Sequence, residues 1–173
     1  MHERARGEGG FLTIELMVAI VLVSVALLAL MAAYDGAFTS LHSSGQTSSA
    51  GLLAENQLEL YASLPYASVE LDSATLTSVK STDANYSTDE ASLPGSGSDV
   101  STTGCGSTAQ CSPVQTKTGS DHHSYKVETF IRLLANPTAT SRTEKVVTVV
   151  VRDESRAGAP KVVTLQTAFD AGP

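Results

Sequence analysis

Gly10-Phe11-Leu12-Thr13-Ile14-Glu15-Leu16-Met17-Val18-Ala19-Ile20, with its continuation to Ala33, carries a single charged side chain, Glu15. As a helix, residues 11–33 measure about 34 Å at roughly 1.5 Å per residue, enough to cross a hydrocarbon core of about 30 Å. An ionised carboxylate deep in lipid costs on the order of 3 kcal/mol, and less near the headgroups. Glu15 is therefore either a hydrated marker of the membrane boundary or an acid held there for function. The run is too long for the apolar core of a secretory signal, about 7 to 15 residues with its cleavage site on the far side. Arg4 and Arg6 precede it, and no Lys or Arg follows until Lys80. By the positive-inside rule the N-terminus is cytoplasmic and everything after Ala33 lies outside the cytoplasm.

Beyond the span, about 140 residues leave room for one modest domain with a small core. The chain of 173 residues has a formal net charge of -7, which argues against a nucleic-acid-binding surface. Residues 34–49 are polar and contain Gly36 and Gly45, each costing a helix roughly 1 kcal/mol relative to Ala, so helix there is expected to be marginal, bent or melted. Ala50 to Leu64 is rich in helix formers, with Leu53, Ala54, Gln57, Leu58 and Tyr61 spaced to line one face and Glu55 and Glu59 on the outside. Pro65 ends that helix. The expectation is one long helix from Phe11 to about Leu64 whose second half packs on the domain.

Residues 66–124 are dominated by Ser, Thr, Gly, Asp and Ala. One or two strands are expected there, a short one at Ser68 to Val79, with a loop at Leu93-Pro94-Gly95-Ser96-Gly97-Ser98 and a disordered or mobile remainder. Cys105 and Cys111 are the chain's two cysteines, and outside the cytoplasm a local disulfide is the default, worth roughly 2 kcal/mol for so short a loop. Zinc, with His122 and His123, is the competing reading, and the cysteine spacing does not suit it. The C-terminal third reads as sheet. Tyr125 to Leu134 alternates apolar with Lys126, Glu128 and Arg132 as a half-buried strand. Lys145 to Arg152 suits a central strand covered on both faces, and Lys161 to Phe169 places Val163, Leu165, Thr167 and Phe169 together. Loops holding Asn136-Pro137 and Gly158-Ala159-Pro160 join them. The fold expected is α+β, an antiparallel meander covered by the Ala50 to Leu64 helix.

No catalytic constellation emerges. Asp121-His122-His123-Ser124 places acid, imidazole and hydroxyl side by side, but adjacent residues cannot form a triad with one another. Asp153-Glu154 lacks the alternating oxygen ligands of a calcium loop and reads as a solvated turn. Asn85-Tyr86-Ser87 fits a glycosylation sequon. No enzymatic activity, cofactor, metal or small-molecule substrate is expected.

The segment Gly10-Phe-Leu-Thr-Ile-Glu15, after a short polar leader and before Leu-Met-Val-Ala-Ile-Val-Leu, resembles the N-terminus of type IV prepilins and type II secretion pseudopilins. Leu12-Thr13 inverts the commoner Thr-Leu. A second stretch, Leu53-Ala54-Glu55-Asn56-Gln57-Leu58-Glu59 leading into Leu64-Pro65-Tyr66, is similar to the helix end of minor pilins and minor pseudopilins. The resemblance implies cutting between Gly10 and Phe11 by a prepilin peptidase, N-methylation of Phe11, and a role for Glu15 in assembly, meeting the Phe11 amine of a neighbouring subunit. It divides the chain into a leader 1–10, a membrane-spanning and filament-core helix 11–33, its continuation 34–64, a variable region 65–124 with the Cys105/Cys111 loop, and a β-meander 125–173. Many major pilins close a larger disulfide loop near the C-terminus, so the roles of that loop are not carried over. The implied function is a structural, minor subunit of a pilus or pseudopilus. Its partners would be other such subunits, the peptidase and the cytoplasmic (inner) membrane. The alternative is a single-pass, membrane-anchored extracytoplasmic binding module that does not polymerise.

Overall fold

The computed structural model describes residues 9–93, 99–106, 108–134 and 143–170, with side chains from residue 13 onward. The expected leader before Gly9, most of the 93–98 loop and Asn136-Pro137 lie outside the described residues. Helix α1 runs unbroken from Gly9 to Ala62, and the chain divides into two compact units between Ser44 and Gly45. The expected melting of residues 34–49 does not occur. Helix propagation adds a backbone hydrogen bond with each residue, so Gly36 and Gly45 weaken this segment of the 54-residue helix without breaking it. Leu64 N–H then bonds Tyr61 O at 3.1 Å, and Pro65 leads into a 3-10 turn at Tyr66–Ser68.

In the second unit, β1 (Leu71–Asp72), α2 (Ser73–Thr82), α3 (Ala84–Ser92) and β2 (Ser101–Thr102) precede four long strands. These are β3 (Val114–Thr118), β4 (Ser124–Leu134), β5 (Glu144–Asp153) and β6 (Lys161–Asp170), an antiparallel meander in chain order. β1 and β2 form a separate parallel ribbon. The meander thus has four strands where three were expected, with β3 drawn from the region read as variable. The strand expected at Ser68 to Val79 is mostly helix α2. Asp72 caps it, accepting from Thr75 N–H at 2.9 Å, and Leu76 and Val79 turn inward at helical spacing. Asp83 ends α2 and caps α3, its Oδ1 accepting from Asn85 and Tyr86 N–H at 3.0 and 3.3 Å.

One sheet face lies under α1. Tyr125, Val127 and Ile131 of β4 and Val147, Val149 and Val151 of β5 are buried there with Ala50, Ala54 and Tyr61, and Leu53 and Leu58 pack at the margin. Gln57 is also fully buried, while Glu55 and Glu59 are exposed.

The other face of β4 is covered as well, which corrects the half-buried reading. Glu128 and Phe130 are fully buried beneath α3. Tyr86 stacks on Phe130 with ring centroids 4.3 Å apart, and its hydroxyl donates to Thr129 O at 2.9 Å. Around this stack runs a charge array. Arg152 reaches Glu128 at 3.0 Å and Asp89 at 2.5 Å; Lys126 reaches Asp83 at 2.5 Å and Glu128 at 2.9 Å; Lys161 reaches Asp89 at 2.7 Å. Burial pulls the Asp83 carboxyl up, but the hydrogen bond and charge of Lys126 and the N–H groups of Tyr86 and Asn85 together outweigh that and hold it below the usual range. Buried ion pairs add little net stability over apolar packing, yet removing one partner is costly because the other stays buried and uncompensated.

Arg152→Met removes one of the two cations at each of Glu128 and Asp89, leaving Lys126 and Lys161, so it should lower the unfolding free energy of the full chain in detergent by about 2 kcal/mol or more in urea titration. A loss under about 1 kcal/mol would show that α3 does not depend on the array. Asp99 behaves oppositely. Burial first, then the Glu90 charge, raises its carboxyl from 3.8 to about 6, against opposing pulls from Lys80 and Arg132. A raised acid prefers its protonated form in the fold, so its stabilisation is full below 3.8 and is lost as pH rises through about 6. Asp99→Asn should therefore raise the melting temperature at pH 7 and flatten its rise on acidification through this window. A lower melting temperature at pH 7 would contradict this.

Candidate functional site

The first half of α1 presents an exposed apolar surface. Every large apolar side chain from Ile14 to Met31 is more than half exposed, from 54% at Val18 to 68% at Leu28 and Met31. A soluble helix hides such residues on one face, whereas a helix apolar on all faces is buried or spans a membrane. Here none of the most apolar window is buried inside the protein, and its mean hydropathy is 2.9. Among the described residues this is the one helix long and apolar enough to cross a membrane. Backbone polar groups are satisfied within the helix, as lipid demands, and hydroxyls can join them. Ser24 Oγ, for example, donates to Ile20 O at 2.7 Å.

Glu15 sits in this surface as an exposed acid near the start of the helix. Residues four apart share a helix face, so Glu15 lies one turn beyond the Phe11 backbone and in line with Val18, Ala19 and Leu22. Among the described residues it forms no ion pair. Gly10 and Phe11 are both within the helical backbone; the Phe11 side chain lies outside the described residues.

Cys105 and Cys111 are joined in a disulfide, their Cα atoms 6.1 Å apart. The small loop they close is tied to the core through Ala109, whose carbonyl accepts from Gln57 Nε2 at 3.2 Å and Gln115 Nε2 at 2.7 Å. Asp72 N–H bonds Cys111 O at 2.8 Å, and the Asp72 carboxyl, held below its usual range by Thr75 N–H, also accepts from Gly106 N–H. Gln57 is thus the link between α1, this loop and β3, since its Oε1 accepts from Lys117 Nζ at 2.9 Å. Sequence reading placed Gln57 on the inner face without assigning it a task; a glutamine among apolar residues was the available signal.

His122 and His123 lie apart from the disulfide in sequence and belong to the β3–β4 turn. Asp121 organises that turn, its Oδ1 accepting from His123 N–H at 3.2 Å and its Oδ2 from the Tyr125 hydroxyl at 2.6 Å. Gly119 is required there, because a Cβ would stand 2.6 Å from Asp121 Oδ1. Asp153 is not the solvated turn acid expected: it is 1% exposed, 3.2 Å from Arg156 Nε and accepts from Ser155 N–H at 3.0 Å. Its neighbour Glu154 is exposed and accepts from Ser124 Oγ at 3.1 Å. Tyr86 of the Asn85-Tyr86-Ser87 sequon is fully buried. No group of three or more His, Cys, Asp or Glu side chains is arranged to hold a metal among the described residues.

Comparison with protein-family models, curated proteins and solved structures gives no match to this chain.

Replacing Leu22 and Leu27 together by lysine adds roughly 6 kcal/mol to the insertion free energy if each costs about 3 kcal/mol at the helix centre. The doubly substituted chain should move from the membrane pellet into the carbonate-extractable fraction. Retention in the pellet would show that the apolar segment is not what holds the chain to membranes.

Proposed function

We propose that this chain is a prepilin-like structural subunit, cut after Gly10, methylated on Phe11 and assembled through its N-terminal helix into a type IV pilus or pseudopilus as a minor component. The observation that carries this reading is the lone acid Glu15, without an ion-pair partner among the described residues, one turn from Phe11 on a helix with no apolar face turned inward. Cleavage would create a protonated amine on Phe11, and a single methylation keeps its charge. That amine on one subunit then neutralises Glu15 on the next within a low-dielectric setting, where a pair is favoured over a lone charge. The continuous helix into a small β-meander supports the same reading, since the domain rides on the segment that would be packed into the filament. The minor role is supported by the Leu53 to Glu59 helix end followed by Leu64-Pro65-Tyr66. Prepilin peptidase, fellow subunits and the cytoplasmic membrane are the partners this function requires.

Mass spectrometry of the native N-terminus tests the reading. An N-methylated Phe11 start is expected. A mature chain beginning at Met1 or His2 would overturn it and favour a membrane-anchored binding module.

A further inference from the structure

No aromatic residue occurs from Leu12 to Ala33, yet aromatics stand at both ends of that stretch: Phe11 before it, Tyr34 and Phe38 after it. Along the helix Phe11 and Tyr34 are about 34 Å apart, close to the thickness of a hydrocarbon core. Aromatic rings collect at headgroup level on both sides of a span. Tyr34 therefore falls where the hydrocarbon ends.

The turns of α1 that follow are neither apolar all round, like residues 14–31, nor polar all round. Tyr34, Phe38 and Leu41 are 59%, 68% and 69% exposed. At 3.6 residues per turn they share, with Ala37, an arc of about 100°. Asp35, Thr39, Ser40, His42 and Ser43 occupy the rest of the circumference. Leu27, Met31, Tyr34, Phe38 and Leu41 succeed one another at intervals of four and three, so the apolar arc prolongs the lipid-facing surface of the span without a break.

We propose that Tyr34, Phe38 and Leu41 bind the phospholipid headgroup layer at the C-terminal end of the span and hold α1 tilted toward that face. From Phe11 to Leu41 the helix measures about 45 Å, against about 40 to 45 Å for a bilayer with its headgroups, so the amphipathic stretch lies at headgroup depth. An upright helix would hold all its sides equally deep at a given level. A tilt of about 20°, usual for a span, sinks one side about 3 to 4 Å below the other. Leaning toward Phe38 places the rings against the ends of the acyl chains and lifts Thr39, Ser40 and Ser43 toward water. No Lys or Arg lies between Arg6 and Lys80, so the attraction is apolar and aromatic and needs no anionic lipid. The inference rests on residues 14–31 crossing a bilayer. It does not rest on filament assembly, and the N-terminal mass leaves it untouched.

The chain contains no tryptophan, so a single introduced one reports on its own place. Full-length variants are reconstituted into phosphatidylcholine vesicles in which part of the lipid carries bromine on the acyl chains close to the headgroup. Phe38→Trp and Leu41→Trp should be quenched more strongly than Thr39→Trp and Ser40→Trp. Position 41 then outranks position 40 although it stands one residue further from the span, which is the signature of the tilt. High salt should leave the order unchanged. In Leu41→Trp, adding Tyr34→Ser and Phe38→Ser should lower the quenching to the level of Ser40→Trp. A steady decline from position 38 to 41, or equal exposure to water at all four, would overturn the proposal. So would quenching at position 41 that ignores the added substitutions. Blue-shifted emission at 38 and 41 without bromine quenching would overturn it in favour of a protein partner on this face. Leu22→Trp, quenched by lipid brominated near the chain ends, checks the span: its failure would remove the span and the proposal together, whereas quenching there with any of the other adverse results would remove the proposal alone.

Discussion

One helical backbone has to serve two surroundings, and the rest of the chain is arranged around that constraint. From Ile14 to Met31 the large side chains of α1 are apolar in every direction and touch nothing that covers them. From Gln46 to Ala62 the same helix has an inner face of Ala50, Ala54, Gln57 and Tyr61, all fully buried apart from Gln46, which is 6% exposed, and a charged outer face. The sheet needs that inner face. Its Val and Ile side chains would otherwise meet water at roughly 25 cal/mol per Å2 of apolar area. The helix is held along the sheet by polar contacts: Gln57 to Ala109 and Lys117, Tyr125 OH to Gln46 O at 3.4 Å, and Arg156 to Gln46 Oε1 at 2.9 Å.

The opposite sheet face solves a different problem. α3 is polar, and it docks where β4 and β5 offer Lys126, Glu128 and Arg152 rather than an apolar surface. Asp83, Asp89 and the Tyr86 ring meet them in one arrangement. Asp83 and Asp89 meet Lys126, Arg152 and Lys161 only when α3 sits in this position, so the array restricts where the helix can bind more than it adds to stability.

The sequence disclosed those parts whose signal is periodic. The apolar run, the inner face of Ala50 to Leu64, and β4, β5 and β6 follow from spacing, because each buries apolar residues at the repeat of its own backbone. α2 and α3 were hidden, since their caps and few inward residues lie among Ser, Thr and Asp that also spell turns. β3 was hidden by its brevity and by Lys117, which breaks the alternation while pointing inward. Lys126, Glu128 and Arg152 were legible as polar but not as buried: their partners Asp83 and Asp89 are roughly 40 to 70 residues away, and a single sequence does not show which distant acids fold onto which bases. At the candidate site, Glu15 and its spacing from Phe11 were read directly, as was the cysteine pair, whereas the place of Gln57 between α1, the disulfide loop and β3 needed the fold.

The account depends most on α1 being divided between lipid and protein. Spin labels placed singly at residues 17–31 and 51–60 of the full chain in a bilayer measure this through relaxation by oxygen and by a water-soluble nickel chelate. Every position in 17–31 should be reached by oxygen and shielded from nickel, with no helical repeat. Residues 51–60 should alternate with a repeat of about 3.6, with nickel reaching Leu52, Glu55, Asn56 and Glu59 best. A 3.6-residue repeat within 17–31, or nickel access across it, would mean that protein or water rather than lipid surrounds the first half of the helix, and would contradict the account.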